Sequence, residues 1–324
     1  MSLSQRKLGS SQITVPVVGI GCNAFGSRMD ADQVQAVVDT AIEHGAAFFD
    51  TADTYGLGAS EELLGRALGS RRDDVVIATK FGMDMQGKSG DDQGRRGSAA
   101  YIRMSVEGSL RRLGTDHIDL YQLHVPDPQT PIEETLETLD DLVTAGTVRA
   151  IGCSNLSAWQ LVDAAWTSRT RDLASFVTAQ NEYSLYNRTA EVELTPACLE
   201  LGVGILPYFP LAYGLLTGKY RRGESAPAGT RLGLSSQARR LANADWDRIE
   251  ALEAFAEQHG VSILELAIGG LAAQPAVASV IAGVTRPEQV EANVRAAAWQ
   301  PPAETLDALA EIGRPTQSYT TYAD

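Results

Sequence analysis

The sequence predicts an α/β fold: a single (β/α)8 TIM barrel over residues 1–324, preceded by a β-hairpin and followed by a C-terminal tail lying over the barrel. Three observations predict it. Eight short apolar runs alternate with stretches of helical period along the whole chain. The runs are continuously apolar rather than alternating, as parallel strands covered on both faces must be. No G-x-G-x-x-G stands at the first strand–helix turn, which disfavours a doubly wound dinucleotide fold. No Pro-, Gly- or Ser-rich linker and no internal repeat divides the chain.

The elements follow in order. Leu8 and Ile13 around Gly9-Ser10-Ser11-Gln12 predict the hairpin, and Val15 to Gly21 the first barrel strand. Asp30 caps a helix to His44 with Val34, Val37, Val38, Ala41 and Ile42 on one face. Ala46–Asp50 is strand two, followed by a helix over Ser60–Leu68. Val75–Thr79 is strand three, ending in Lys80-Phe81-Gly82, with a long polar loop, Met83–Gly97, behind it. A helix over Ser98–Leu113 precedes strand four, Ile118–Leu123, which ends at His124. Pro131 opens a helix to Thr144, and Val148–Gly152 is strand five, ending in Cys153-Ser154-Asn155. A helix capped by Ser157, a sixth strand (Phe176–Gln180), a helix over Thr189–Leu201 and a seventh strand (Val203–Tyr208) come next. After a loop to about Ser236, helices over Asp245–His259 and Ser262–Ala273 lead to strand eight, Val277–Ala282, and a helix opened by Pro287.

Charge and composition exclude several functions. A net charge of −14 argues against a nucleic-acid partner, whose phosphates require a basic face. No apolar run suits a membrane span: Gly202–Leu216 is short and carries Pro207 and Pro210. Cys22, Cys153 and Cys198 are odd in number and show no metal-type spacing, which predicts reduced thiols and a cytoplasmic protein. With only 4 His and no ligand cluster, no metal site is expected.

Barrels of this kind build their active sites at the carboxyl ends of the strands. Asp50 ends strand two and Tyr55 follows in its loop; Lys80 ends strand three and His124 strand four. Singly, each has an ordinary structural role as a turn residue, a solvated cation or a satisfied core histidine. Three neighbouring strands aiming four titratable groups at one mouth point instead to chemistry. That chemistry is proton transfer to an oxygen. A phenol is a weak acid near neutrality, a lysine ammonium beside it favours the phenolate, Asp50 can hold Lys80 charged, and His124 can orient a carbonyl. Asp53, between Asp50 and Tyr55, is read as a turn residue.

The chain resembles the aldo-keto reductase superfamily, including its bacterial-type enzymes and potassium-channel β subunits. The resemblance rests on FFDTADTYG (Phe48–Gly56), SEELLGRAL (Ser60–Leu68), TKFG (Thr79–Gly82), RRLGTDHIDLYQLHVPDP (Arg111–Pro128), GTVRAIGCSN (Gly146–Asn155) and GLLTGKY (Gly214–Tyr220). It implies reduction of an aldehyde or ketone by hydride from a nicotinamide, with Tyr55 as general acid, Lys80 and Asp50 tuning it, and His124 orienting the substrate. Cofactor contacts implied in the same way are Gly21, Cys22, Asn23 and Asp50, with Ser154, Asn155 and Gln180 for the carboxamide and Tyr208 for ring stacking. Phe209, Pro210, Leu211, Ala212, Tyr213 and Lys219 match the loop over the pyrophosphate, and Gly283, Thr285, Arg286, Gln289 and Asn293 the adenosine end. Two departures stand out: Phe209 where a serine is common, and Ala292 where some relatives carry an acid. Arg286 and Arg231 are candidates for a 2′-phosphate, since arginine binds phosphate bidentately, which favours NADP(H) over NAD(H). Asn23, Phe25, Phe81 and Met83 are expected to line the pocket of a small-molecule carbonyl substrate. Which carbonyl, and the oligomeric state, stay open. The alternatives are a cofactor-binding regulatory module with little turnover, and a metal-dependent barrel hydrolase or isomerase.

Overall fold

Ten strands are formed in the computed structural model, which describes residues 3–88 and 93–315. In chain order they are β1 (Gln5–Lys7), β2 (Thr14–Pro16), β3 (Val18–Gly21), β4 (Phe48–Asp50), β5 (Val76–Phe81), β6 (Ile118–Leu123), β7 (Val148–Ser154), β8 (Thr178–Gln180), β9 (Gly204–Ile205) and β10 (Val280–Gly283). β1 and β2 form the antiparallel hairpin, and the other eight make one parallel sheet in the order β10-β3-β4-β5-β6-β7-β8-β9. The sheet closes on itself. Ile205 donates its N–H to the Ala276 carbonyl at 2.7 Å, Ala278 to Ile205 at 2.9 Å, and Ile281 to Pro207 at 2.9 Å. The expected barrel is therefore present, with helices Ala31–Glu43, Ala59–Leu68, Ala99–Leu113, Ile132–Thr144, Ala158–Arg171, Leu194–Leu201 and Pro287–Ala296 distributed along the chain between and after its strands.

Local chemistry sets the helix starts. Asp30 with Gln33, Ser157 with Gln160 and Ser262 with Glu265 each form a reciprocal capping box, satisfying donors that a helix start leaves open. The hairpin plugs the barrel floor: Leu8, Ile13 and Val15 pack with Phe48, Ala78, Leu120, Ala150 and Leu206 from the inner faces of the strands. Gly9 has φ +52°, and a Cβ there would lie 2.1 Å from the Val177 carbonyl oxygen, so only glycine lets the turn seat against the floor.

Two expectations need correction. The first strand is not one run: Val15 belongs to the hairpin and only Val18–Gly21 enters the barrel, so the extended chain serves two sheets in succession. Strand seven shrinks to Gly204–Ile205, with Tyr208 in an isolated bridge to Glu182. The tail itself carries a helix, Ala303–Ala310, and the carbonyls of Leu309, Ala310 and Ile312 accept from the buried Arg188 guanidinium. Its last nine residues, 316–324, and positions 89–92 of the Met83–Gly97 loop lie outside the described residues.

Candidate active site

Period-two alternation decides which residues look into the barrel. On β5, Ala78 belongs to the interior cluster, so Lys80, two residues on, also points inward at the mouth, while Ile77, Thr79 and Phe81 face the helices. On β6 the same rule puts Leu120, Gln122 and His124 on the inner side.

The four titratable side chains meet. Lys80 is fully buried and donates from Nζ to Asp50 Oδ2 at 2.7 Å, to the Thr51 carbonyl at 2.9 Å and to Tyr55 Oη at 3.4 Å. The Tyr55 and His124 rings stand edge-on, 5.9 Å apart at 81°. Asp50 is held from the other side as well: Gln180 Nε2 donates to Oδ1 at 2.8 Å and Gln122 Nε2 at 3.3 Å. Gln122 was not singled out from the sequence. Only its period-two spacing from His124 marks it, since Asp119 is a second polar residue in the same strand.

The charges follow from burial and neighbours. Burial raises the Tyr55 phenol above its ordinary value, Lys80 pulls it down and Asp50 pushes it up, with a net upward shift. Lysine alone would favour the phenolate as expected, but desolvation outweighs it, so the phenol keeps its proton at neutral pH. Burial pulls the Lys80 ammonium down, yet Asp50 and the Tyr55 oxygen more than offset this, and Lys80 stays charged. Burial, then Lys80, lowers His124 to about 3, so its imidazole is neutral, and its Nδ1 is buried with no hydrogen-bond partner.

A second polar chain runs into this group. Tyr208 Oη donates to Asn155 Oδ1 at 2.8 Å, and Asn155 Nδ2 donates to Ser154 Oγ at 3.1 Å and to the His124 carbonyl at 3.0 Å. Ser154 Oγ donates to the Gln180 carbonyl at 2.8 Å, and Gln180 reaches Asp50. Asn155 has φ +61°, a conformation that asparagine tolerates better than most residues. Amides and hydroxyls of this kind can both donate to and accept from a carboxamide.

Around the rim, Gly21 on β3 pairs with Gly283 on β10. A Cβ on Gly283 would meet only Asn23 Oδ1, at 3.6 Å, and the Gly21 carbonyl, at 4.0 Å. Gly283 is thus an exposed strand end with open space beside Asn23, whereas Gly21 is buried against Ile281 and Gly283, and Cys22 is buried too. Phe209, Ala212 and Tyr213 all adopt positive φ, and Arg231 lies 5.1 Å from both the Phe209 and Tyr213 rings. Pro210 and Leu211 lie within this turn, and Lys219 sits over Tyr220, 5.3 Å from its ring centroid. Past β10, Thr285 donates to Gln289 at 2.7 Å, Arg286 precedes the Pro287–Ala296 helix as its exposed N-cap, and Asn293 is buried on that helix.

Phe81 does not look into the mouth. Its register opposite to Lys80 turns it outward, where it stacks on Tyr121 at 4.7 Å, so its assignment to the substrate pocket is corrected. Phe25 is fully buried in the outer core, while Met83 is exposed at the rim and its carbonyl accepts from the Tyr101 hydroxyl. Among the described residues no three His, Cys, Asp or Glu side chains gather as a metal ion would need, and no helix is long and apolar enough to cross a membrane.

The model of the Aldo/keto reductase family matches residues 17–314. A probable voltage-gated potassium channel subunit beta of Arabidopsis thaliana is 33% identical over 303 residues, 91% of each chain. An uncharacterized oxidoreductase of Bacillus subtilis is 35% identical over 316 residues, 94% of each chain. Among solved structures, the holo form of the aldo-keto reductase AKR11C1 from Bacillus halodurans superposes with a TM-score of 0.78 at 32% identity, covering 96% of each chain.

Proposed function

The chain belongs to the aldo/keto reductase family, and from that premise we propose that it is an oxidoreductase reducing an aldehyde or ketone to an alcohol with NADPH, Tyr55 acting as general acid. One observation carries the proposal: a buried ammonium bridges a carboxylate and a phenol at the barrel mouth, at 2.7 Å and 3.4 Å. The neutral phenol donates its proton to the carbonyl oxygen as negative charge develops there. Lys80, held charged by Asp50, stabilises the phenolate left behind. His124, neutral and with its ring against Tyr55, offers an uncharged imidazole to orient the carbonyl.

The nicotinamide, when bound, supplies the hydride. Ser154, Asn155 and Gln180 are the residues whose chemistry fits its carboxamide, and Tyr208, tethered to Asn155, presents the ring beside it. Gly21, Gly283, Asn23, Thr285, Gln289 and Asn293 fit the remainder, with the Phe209–Tyr213 turn and Lys219 as a cover. Arg231 and Arg286 support NADPH over NADH, because both present guanidinium groups that pair with no carboxylate among the described residues. The expected setting is the cytoplasm.

The test is steady-state oxidation of NADPH and, in parallel, NADH over a panel of aldehydes and ketones. Repeated turnovers with at least one carbonyl are expected, faster with NADPH. Tight cofactor binding without turnover across the panel would overturn the reductase and favour a second reading, a regulatory module, which the likeness to potassium channel β subunits supports.

A further inference from the structure

We propose that Glu61 is a positioning residue for Tyr55: its carboxylate clamps the start of the Ala59–Leu68 helix, and with it the turn that carries the phenol, onto the strand that carries Lys80. The proposal rests on the reductase reading above and on a buried ion pair which that reading leaves unused. Glu61 is fully buried, and both of its carboxylate oxygens are engaged. Thr79 Oγ1 donates to Oε1 at 2.6 Å, and Arg112 Nε donates to Oε2 at 2.6 Å. A carboxylate is costly to desolvate and is held in a dry interior only by partners of this kind. Three elements meet in those two bonds: the Ala59–Leu68 helix, β5 and the Ala99–Leu113 helix.

The helix start is joined directly to the turn. Tyr55–Gly58 forms one short turn, and the Ala59 N–H that closes it donates to the carbonyls of Tyr55 and Gly56. Gly56, Leu57 and Gly58 have φ of 59°, 53° and 98°. A leucine in that region persists only where its surroundings over-determine it. The surroundings do so here. Ser60 Oγ donates to the Cys22 carbonyl at 2.9 Å and lies 2.8 Å from Thr51 Oγ1, which fixes the helix to the chain leaving β3 and β4. The Arg112 side chain passes so close to Gly58 that a Cβ there would lie 2.7 Å from Arg112 Cδ. Glu61 adds the tie to β5.

That tie acts on the catalytic pair. Thr79 and Lys80 are successive residues on β5, so one faces the helices and the other the barrel mouth. Lys80 Nζ reaches Tyr55 Oη at 3.4 Å from the inner side, and Thr79 Oγ1 holds Glu61 from the outer side. The contacts therefore close a ring that runs from Tyr55 through its turn to Glu61, Thr79 and Lys80, and back to Tyr55. Loosening the bond between Glu61 and Thr79 frees the helix start from β5, and the turn follows through the Ala59 N–H. Of the three contacts that the Lys80 ammonium makes, the one to Tyr55 is the longest, so it is the first to be lost when the turn shifts.

The experiment compares wild type, Thr79→Val, Thr79→Ser and Glu191→Gln at a temperature where all four are folded. It reads kcat, KM for NADPH, melting temperature, and the primary isotope effect on kcat with NADPH deuterated at the transferred position. Thr79→Val removes the bond to Glu61 at nearly constant volume. Its kcat is expected to fall roughly ten- to a hundredfold, the upper end being the cost of a misplacement of about 1 Å. KM for NADPH should stay within a few-fold of wild type, and the isotope effect should grow as the chemical step slows relative to release. Thr79→Ser keeps the hydroxyl and is expected to recover kcat to within a few-fold of wild type. Glu191→Gln is the structural control, because Glu191 is also held by an arginine and a hydroxyl, Arg188 Nε and Tyr183 Oη, each at 2.7 Å. It should lower the melting temperature and leave kcat and the isotope effect unchanged. Wild-type kcat in Thr79→Val, or equal losses in Thr79→Val and Thr79→Ser, would overturn the clamp and leave the reductase intact. Absence of carbonyl turnover in wild type would instead sink the reductase, and the positioning role with it.

Discussion

The two ends of the barrel both bury ionic groups, and they bury them differently. Near the floor, Asp119 on β6 is fully buried and its acceptor sites are filled: Arg72 at 2.9 Å, Arg149 at 2.7 Å and the Ile77 N–H at 2.9 Å. At the mouth, Asp50 is filled too, by Lys80, Gln180 and Gln122, but the network opens outward. Lys80 extends its third contact to Tyr55 at 3.4 Å, and His124 Nδ1 has no partner. A network satisfied on every side can only stabilise, and one left open on one side has capacity for a ligand atom. Equal burial therefore carries opposite consequences, set by where the hydrogen bonds end.

Exchanging groups at the two ends sharpens that contrast. Tyr55→Phe removes the proton donor, and kcat for carbonyl reduction is expected to fall by about 10²–10⁴-fold, while NADPH binding followed by fluorescence stays within a few-fold; wild-type turnover would end the acid assignment. Asp119→Ala is expected to do the reverse. It leaves two guanidinium groups without their buried partner, at roughly 3–5 kcal/mol of stability, seen as a lower denaturation midpoint with kcat unchanged. A loss of kcat without a loss of stability would break the division between the ends.

Smaller effects probe the mouth itself. His124 is lowered to about 3, so it contributes stability present above its unfolded value of about 6.5 and lost as pH falls through the folded one. The melting temperature of wild type should drop relative to His124→Gln as pH falls from 6.5 to 4, and kcat/KM should show no acid limb near 6.5. An acid limb there would mean that His124 is charged in the working enzyme. Gln122→Met removes the longer of the two amide contacts to Asp50, and Gln180 retains the shorter one. A loss of no more than a few-fold in kcat is expected; a hundredfold loss would show that Gln122, rather than Gln180, sets the carboxylate.

Much of the site was legible in one dimension. Asp50, Lys80 and His124 each terminate an apolar run, and parallel strands bring successive carboxyl ends to the same edge. Gln122 was overlooked because its neighbours mask it: in Ile-Asp-Leu-Tyr-Gln-Leu both faces are buried, so no hydropathy contrast marks the inner one. Phe81 was misassigned for the complementary reason. Adjacency to Lys80 suggested a shared pocket, yet one residue of register turns a side chain to the opposite face. Asp53 looked like a turn residue because turns favour aspartate. It does lie in a turn, but one that the folded chain buries fully.

The order of apolar runs and helical periods, the caps at Asp30, Ser157 and Ser262, and the strand-end placement of Asp50, Lys80 and His124 were determined by the amino-acid sequence itself, since each depends on residues a few positions apart. Tertiary structure decided the rest: the splitting of the first strand between hairpin and barrel, the outward turn of Phe81, the amide chain from Tyr208 to Asp50, and the net upward shift of the Tyr55 phenol. These depend on desolvation and on hydrogen bonds between residues as distant as Asp50 and Gln180, 130 positions apart. Burial is a property of the closed barrel, and no local pattern encodes it.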